Sequence, residues 1–99
     1  DLSNLNINTY KFVNNQLSID SCLFIITTFK INNIASYANT EIKPSLKVSN
    51  STDTIEYKLK SYVEDNQLFI PFKSNTTTTI KLSQENEFIE LIDCYVFNI

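Results

Sequence analysis

Ile55-Glu56-Tyr57-Lys58-Leu59-Lys60-Ser61-Tyr62-Val63 decides the fold class. Ile55, Tyr57, Leu59, Ser61 and Val63 fall on one parity, and Glu56, Lys58, Lys60 and Tyr62 on the other. A period of two sends successive side chains to opposite faces of a strand, so this run predicts a strand with one face buried and one in solvent. Glu64-Asp65-Asn66-Gln67 follows as a turn, and Leu68, Ile70 and Phe72 then alternate with Phe69, Pro71 and Lys73. Pro71 has no N–H to give a ladder, which assigns that strand to an edge.

The same rhythm extends in both directions. Upstream, Asn50-Ser51-Thr52-Asp53 is turn chemistry, preceded by Ile42, Leu46 and Val48 set against Glu41, Lys43, Lys47 and Ser49. Pro44 places this run at an edge or beside a bulge. Asn32 to Thr40 reads as polar and irregular. Leu17 to Ile31 reads as one long strand, with Leu17, Ile19, Leu23, Ile25, Phe29 and Ile31 on one parity and Cys22, Phe24 and Ile26 on the other. Apolar residues on both parities predict a central strand covered on both faces. A first strand runs from Asn4 to Phe12 and ends in the turn Asn14-Asn15.

Downstream, the Thr-rich segment Asn75 to Thr79 leads into Ile80 and Leu82, and Phe88 to Ile99 closes the chain. That last run has two readings. Phe88, Leu91, Ile92 and Tyr95 share a helical face, with Ser83 as a cap, whereas Tyr95-Val96-Phe97 is poor helix material; we read it as strand. About seven short strands separated by turns predict an all-β, antiparallel sandwich of immunoglobulin-like type, occupying residues 1–99 as a single domain. With no Gly in the chain, turns needing positive φ fall to Asn14, Asn15, Asn50, Asp53, Asp65, Asn66 and Asn75.

Composition excludes more than it proposes. The chain has no His, Trp, Met or Gly, and all eight of its basic residues are Lys. Abundant Asn, Ile, Lys, Phe and Tyr match the codon bias of an AT-rich genome. Lacking an initiating Met, the chain reads as a processed product or a domain cut from something longer. Net charge is −3 and the lysines are scattered, without the Arg forks or cationic face that nucleic acid requires. Lys47, Lys58 and Lys60 make at most a small positive spot. The longest apolar run, Cys22 to Ile26, is far short of the roughly 20 residues of a membrane span.

Candidate chemistry is sparse. Cys22 and Cys94 are either two small buried hydrophobes or an inter-sheet disulfide, which would contribute on the order of 4 kcal/mol by closing so long a loop. Without a His to activate it, neither thiol is a candidate nucleophile. Glu85, Glu87, Glu90 and Asp93 read as a solvated acidic turn rather than a calcium loop or a catalytic carboxylate pair, and zinc lacks ligands. No cofactor is expected. Asn50-Ser51-Thr52 and Asn75-Thr76-Thr77 fit the glycosylation acceptor pattern, at about the number that chance gives in a chain this rich in Asn, Ser and Thr. Among the tyrosines, Tyr37 in the longest loop and Tyr62 on a polar parity are the candidates for stacking on a sugar ring or anchoring a protein.

Ile55-Glu56-Tyr57-Lys58-Leu59, then Leu68-Phe69-Ile70-Pro71-Phe72 and a final apolar strand, resemble the small β-sandwich accessory domains joined to catalytic domains in bacterial glycosyltransferases that build cell-surface polymers. The resemblance lies in strand rhythm over the latter half. It implies a non-catalytic attachment that orients or recruits the enzyme or its polymer. The expectation is therefore a non-enzymatic module for adhesion, glycan binding or domain positioning, with a protein or glycan partner and a lean toward the cell surface. The rival reading is a self-associating structural domain of a surface layer or viral particle, pairing through the Thr-rich segment and an unprotected edge strand.

Overall fold

The computed structural model describes residues 2–99. A short 3-10 turn at Leu2–Asn4 precedes eight strands: β1 (Asn6–Lys11), β2 (Gln16–Ile19), β3 (Phe24–Ile31), β4 (Ser45–Ser49), β5 (Thr54–Lys58), β6 (Asp65–Ile70), β7 (Thr78–Leu82) and β8 (Ile89–Asn98). One helix, α1 (Ile34–Ala38), lies between β3 and β4. All the strand pairs are antiparallel, in two four-stranded sheets ordered β1-β8-β3-β6 and β2-β7-β4-β5. The all-β sandwich is therefore as expected, with one strand more than the sequence suggested.

The connectivity follows from a single long ribbon. Asn50-Ser51-Thr52-Asp53 is the tip, and pairing proceeds outward from it as β4·β5, β3·β6, β2·β7 and β1·β8. Rolling that ribbon brings β3 against β8 and β4 against β7. Eight strands in this order form a jelly roll. This corrects the immunoglobulin-like expectation: in that fold the first two strands share a sheet, whereas here β4 and β5 are the one consecutive pair that does.

Three local features set the roll. The run Leu17 to Ile31 is not one strand but two, β2 in one sheet and β3 in the other, with the chain crossing between them through Asp20 to Leu23. The β1–β2 turn has positive φ at both Asn14 (54°) and Asn15 (58°), with Val13 and Gln16 exchanging backbone bonds of 3.1 and 3.2 Å. That is the two-residue turn whose twist suits antiparallel strands, and Asn tolerates it best after Gly. Asn15 does more: its Oδ1 accepts from Leu91 N (2.9 Å) in β8, while its backbone carbonyl accepts from Leu82 N (3.2 Å) in β7. One residue thus ties the two sheets together.

At the ribbon tip, the Asn50 carboxamide accepts from Thr52 N (3.0 Å) and Asp53 N (2.8 Å), which closes the turn without positive φ. Asn33, absent from the sequence expectation, is left-handed (φ 57°) and caps α1, its Oδ1 accepting from Ser36 N at 3.2 Å.

The prolines bound strands rather than sit in them. Pro44 is buried immediately ahead of β4, its carbonyl accepting from Leu59 N (3.0 Å), and β4 is an interior strand, contrary to the edge assignment. Pro71 ends β6, which is an edge as expected. The turn before β6 falls at Ser61 to Glu64, and Asp65 already begins the strand.

The C-terminal run is strand β8, as read. Its ambiguous period comes from a β-bulge: Thr28 faces Asp93 but Phe29 faces Leu91, leaving Ile92 as the extra residue. An extra residue flips the parity of everything beyond it. Ile92 then uses its carbonyl to accept from Phe12 N (3.1 Å). The core between the sheets holds Ile25, Phe29 and Ile31 of β3, Leu91, Cys94 and Val96 of β8, and Leu46, Val48 and Ile80 of the opposite sheet.

Candidate functional site

The alternation of buried and exposed positions assigns the outer surface of each sheet. On the β2-β7-β4-β5 sheet the outward residues are Gln16 and Ser18, Thr79 and Lys81, Lys47 and Ser49, and Thr54, Glu56 and Lys58. Every one is polar. Glu56 lies directly across from Lys47, so the positive spot considered from sequence is broken by an acid.

The β1-β8-β3-β6 sheet is different. Its register aligns Ile7, Phe97 and Phe24 in one outward row, and Thr9, Tyr95, Ile26 and Phe69 in the next. Ile7 and Phe69 are 57% and 55% exposed. The following row turns polar with Lys11, Asp93, Thr28 and Gln67. There Lys11 Nζ donates to Asp93 Oδ1 at 2.7 Å, and that hydrogen bond, with the carboxylate's charge, raises the Lys11 pKa. The face is thus divided across the strands into an aromatic half and an ionic half.

Ring geometry defines what the aromatic half presents. Phe24 and Phe97 have centroids 4.4 Å apart with planes inclined 14°, and Phe69 leans on Phe24 at 5.3 Å and 49°. Two rings lying flat and side by side cannot approach to 4.4 Å. Phe24 and Phe97 therefore turn one π face each toward the other, and Phe69 packs on Phe24 as well.

An open cleft of about 1030 Å3 lies at one end of the sandwich. The β1–β2 turn lines it with Asn14, Asn15 and Gln16, and the β7–β8 loop with Gln84, Glu85, Asn86, Glu87 and Phe88. Asn86 and Asn15 already spend their side-chain oxygens on Phe88 N and Leu91 N.

The residues singled out in the sequence do not converge. Tyr37 is 1% exposed, on α1 rather than in an open loop, so it is unavailable to a ligand. Its hydroxyl donates to the Leu59 carbonyl, its ring meets the edge of Phe88 at 6.4 Å, and burial raises its pKa. Tyr62 is 77% exposed, beyond the end of β5. Glu85 and Glu87 sit on the cleft, whereas Glu90 and Asp93 lie on β8. Among the described residues no group of carboxylates or thiols is placed to hold a metal ion, and no helix is long and apolar enough to cross a membrane.

Cys22 and Cys94 are both buried free thiols. Leu23 N bonds Phe97 O, so Cys22 lies beyond Phe97 on the β8 register, at least three residues, or roughly 10 Å, along the strand from Cys94. A bridge needs Cα atoms within roughly 4.4–6.8 Å. The Cys22 thiol donates to the Phe72 carbonyl at 3.0 Å, and burial raises its pKa. Burial, with a smaller contribution from Cys22, pushes the Cys94 thiol up to about 12. Of the two glycosylation-type asparagines, Asn75 is exposed, while Asn50 is half-buried and donates its Nδ2 to Ser74 Oγ at 2.8 Å.

Sequence reasoning missed the aromatic face. Its signal was present, as the apolar second parity of residues 22–26, but that parity reads equally well as a face buried under another layer. Compared with known proteins, the chain matches no family model, and neither curated proteins nor solved structures give a match.

Proposed function

We propose that this domain is a non-catalytic accessory module that docks onto an apolar surface of a protein partner through the outer face of its β1-β8-β3-β6 sheet. The observation that carries the reading is the pair of registered rows, Ile7-Phe97-Phe24 and Tyr95-Ile26-Phe69, half-buried in their middle and exposed at Ile7 and Phe69, on a domain whose other outer face is wholly polar. Contiguous apolar surface rimmed by polar residues marks association sites. A protein suits this face better than a glycan, because sugars stack on open, isolated ring faces, whereas Phe24, Phe97 and Phe69 pack on one another as a cluster. The non-catalytic part rests on chemistry: the chain has no His, and its two thiols are buried with raised pKa values.

Hydroxyl-radical footprinting tests the reading, with the chain purified and then inside the cells that make it. Tyr95 and Phe69 are expected to be oxidised in the purified domain and protected in the cell, while Tyr62 reacts equally in both. Equal oxidation of all three in both settings refutes it. A glycan reading is favoured by a separate observation, the amide-lined cleft at the sandwich end. It requires an oligosaccharide to shift the amide resonances of Gln16, Gln84 and Glu87 and leave those of the aromatic rows in place.

A further inference from the structure

The sandwich has four edge strands, and three of them are guarded against adding another strand. β2 is four residues long; β5 displays Glu56 and Lys58; β6 opens on Asp65 and stops at Pro71. β1 has none of these devices. It runs for six residues, Asn6-Ile7-Asn8-Thr9-Tyr10-Lys11, without a proline, and pairs with β8 alone. All six of its residues are exposed, including those on the parity that faces inward further along the sheet. Its one charge, Lys11, is at the end and already held by Asp93.

We propose that β1 is a self-pairing edge: two copies of this chain join β1 to β1 in antiparallel fashion about a two-fold axis, fusing their sheets into one of eight strands. The occupant is a second copy because β1 is complementary to itself. A two-fold axis normal to the sheet carries outward residues onto outward residues, so it pairs positions of equal parity. Centred on Asn8 or on Thr9, it lays Asn and Thr opposite Asn, Thr, Ile7 or Tyr10 and sends the two Lys11 side chains to opposite ends. No like charges then face each other, and the chain's net charge of −3 opposes association only weakly. The open backbone groups of each β1 gain partners, and Ile7 and Tyr10 gain neighbours on opposite faces. With the axis on Asn8, Ile7 meets Thr9 of the copy and the aromatic rows, which end at these two residues, run on into the second copy; with it on Thr9, Ile7 meets Lys11 of the copy instead.

The Thr-rich segment is not part of this contact. Thr76 turns its carbonyl to Ser74 Oγ and Thr78 Oγ1, both at 3.0 Å, and β7 lies between β2 and β4.

Pairing through β1 does not depend on the docking role of the aromatic face, and the test separates them. Sedimentation equilibrium of the chain over a wide concentration range is expected to show a monomer–dimer equilibrium. The double variant Asn8→Lys/Tyr10→Lys opposes like charges in either register and is expected to weaken the dimer about ten-fold or more, with its urea unfolding curve still cooperative. Phe69→Ser is expected to leave the dimer unchanged. A chain monomeric at every concentration overturns the proposal, and so does a dimer that survives the β1 variant but is lost in Phe69→Ser. Amide exchange supplies the second measurement: β1 amides that gain protection with concentration support the pairing, and protection independent of concentration overturns it.

Discussion

Thr27 and Thr78 are chemically identical, both 0% exposed, and predicted to respond to the same substitution with opposite sign. Thr27 lies on β3, facing the core between Cys94 of β8 and Leu68 of β6, and its Oγ1 has no hydrogen-bond partner. Thr78 begins β7, and its Oγ1 donates to the Thr76 carbonyl at 3.0 Å. A buried hydroxyl left unpaired costs about 1–3 kcal/mol, whereas a paired one contributes about 0.5–1.5 kcal/mol net. Valine replaces the hydroxyl with a methyl of similar size and keeps the β-branch that suits a strand. Thr27→Val is therefore expected to stabilise the domain by about 1–2 kcal/mol, and Thr78→Val to destabilise it by about 1 kcal/mol. For a chain of this length the first corresponds to a rise of roughly 4–8 °C in Tm per kcal/mol. Urea unfolding is the assay, with midpoints compared at constant slope so that the shift reports native stability. A loss of stability in Thr27→Val refutes the reasoning, since it would mean that the hydroxyl is satisfied in the folded state.

Two further outcomes follow from buried groups. Unfolded thiols ionise near pH 9, whereas the Cys94 thiol is pushed up to about 12 in the fold and that of Cys22 is raised too. Above about pH 9 the unfolded chain has released protons that the native one retains, so stability is full below that pH and falls as pH rises, by about 1.4 kcal/mol per pH unit for Cys94 until its native pKa of about 12 is approached, with Cys22 adding in the same direction. Cys94→Ala is expected to flatten that alkaline slope by about one such increment, read from urea unfolding at stepped pH; native Cys22 and Cys94 should both resist a thiol reagent that titrates them in denaturant. In the β1–β2 turn, Asn14→Gly is expected to be near neutral because only its positive φ matters. Asn15→Gly should cost about 1–2 kcal/mol for the lost bond to Leu91 N, and Asn15→Ala about 1 kcal/mol more for the left-handed backbone, measured the same way.

Strands were legible wherever one face is wet and one dry, as in Ile55 to Leu59, because period two then shows directly in residue type. The reading failed where the pattern is locally continuous but the structure is not. Leu17 to Ile31 keeps one apolar parity across the passage from β2 to β3, so nothing in the spacing announces that the chain changes sheets, and without that crossing the roll cannot be deduced. The bulge at Ile92 placed Phe88, Leu91, Ile92 and Tyr95 at helical intervals by shifting the parity of a strand. Tyr37 was misplaced for a different reason: a polar neighbourhood in sequence carries no information about Leu59, whose carbonyl holds the hydroxyl from 22 residues away. Asn14 and Asn15 were readable because positive φ in a chain without Gly leaves few residue types to supply it.

Codon bias offers one alternative account of the aromatic face: an AT-rich genome scatters Phe, Ile and Tyr wherever selection is weak. The opposite sheet argues against it. Lys and Asn outnumber Phe and Tyr in this chain, yet no Lys or Asn stands in the aromatic rows, and the outward positions of β2, β7, β4 and β5 took Lys, Ser, Thr, Glu and Gln with no aromatic among them. A common mutational supply acting on two outer faces of one small domain would have mixed the two sets. Instead the apolar residues fall in two adjacent registered rows and stop sharply at the row of Lys11 and Asp93. Register is a property of the folded sheet and is invisible to mutation, so mutational supply alone does not order residues by it. Selection for packing within the domain does not supply it, because both ends of the rows, Ile7 and Phe69, are more than half exposed. The ordering is what the proposed docking surface calls for.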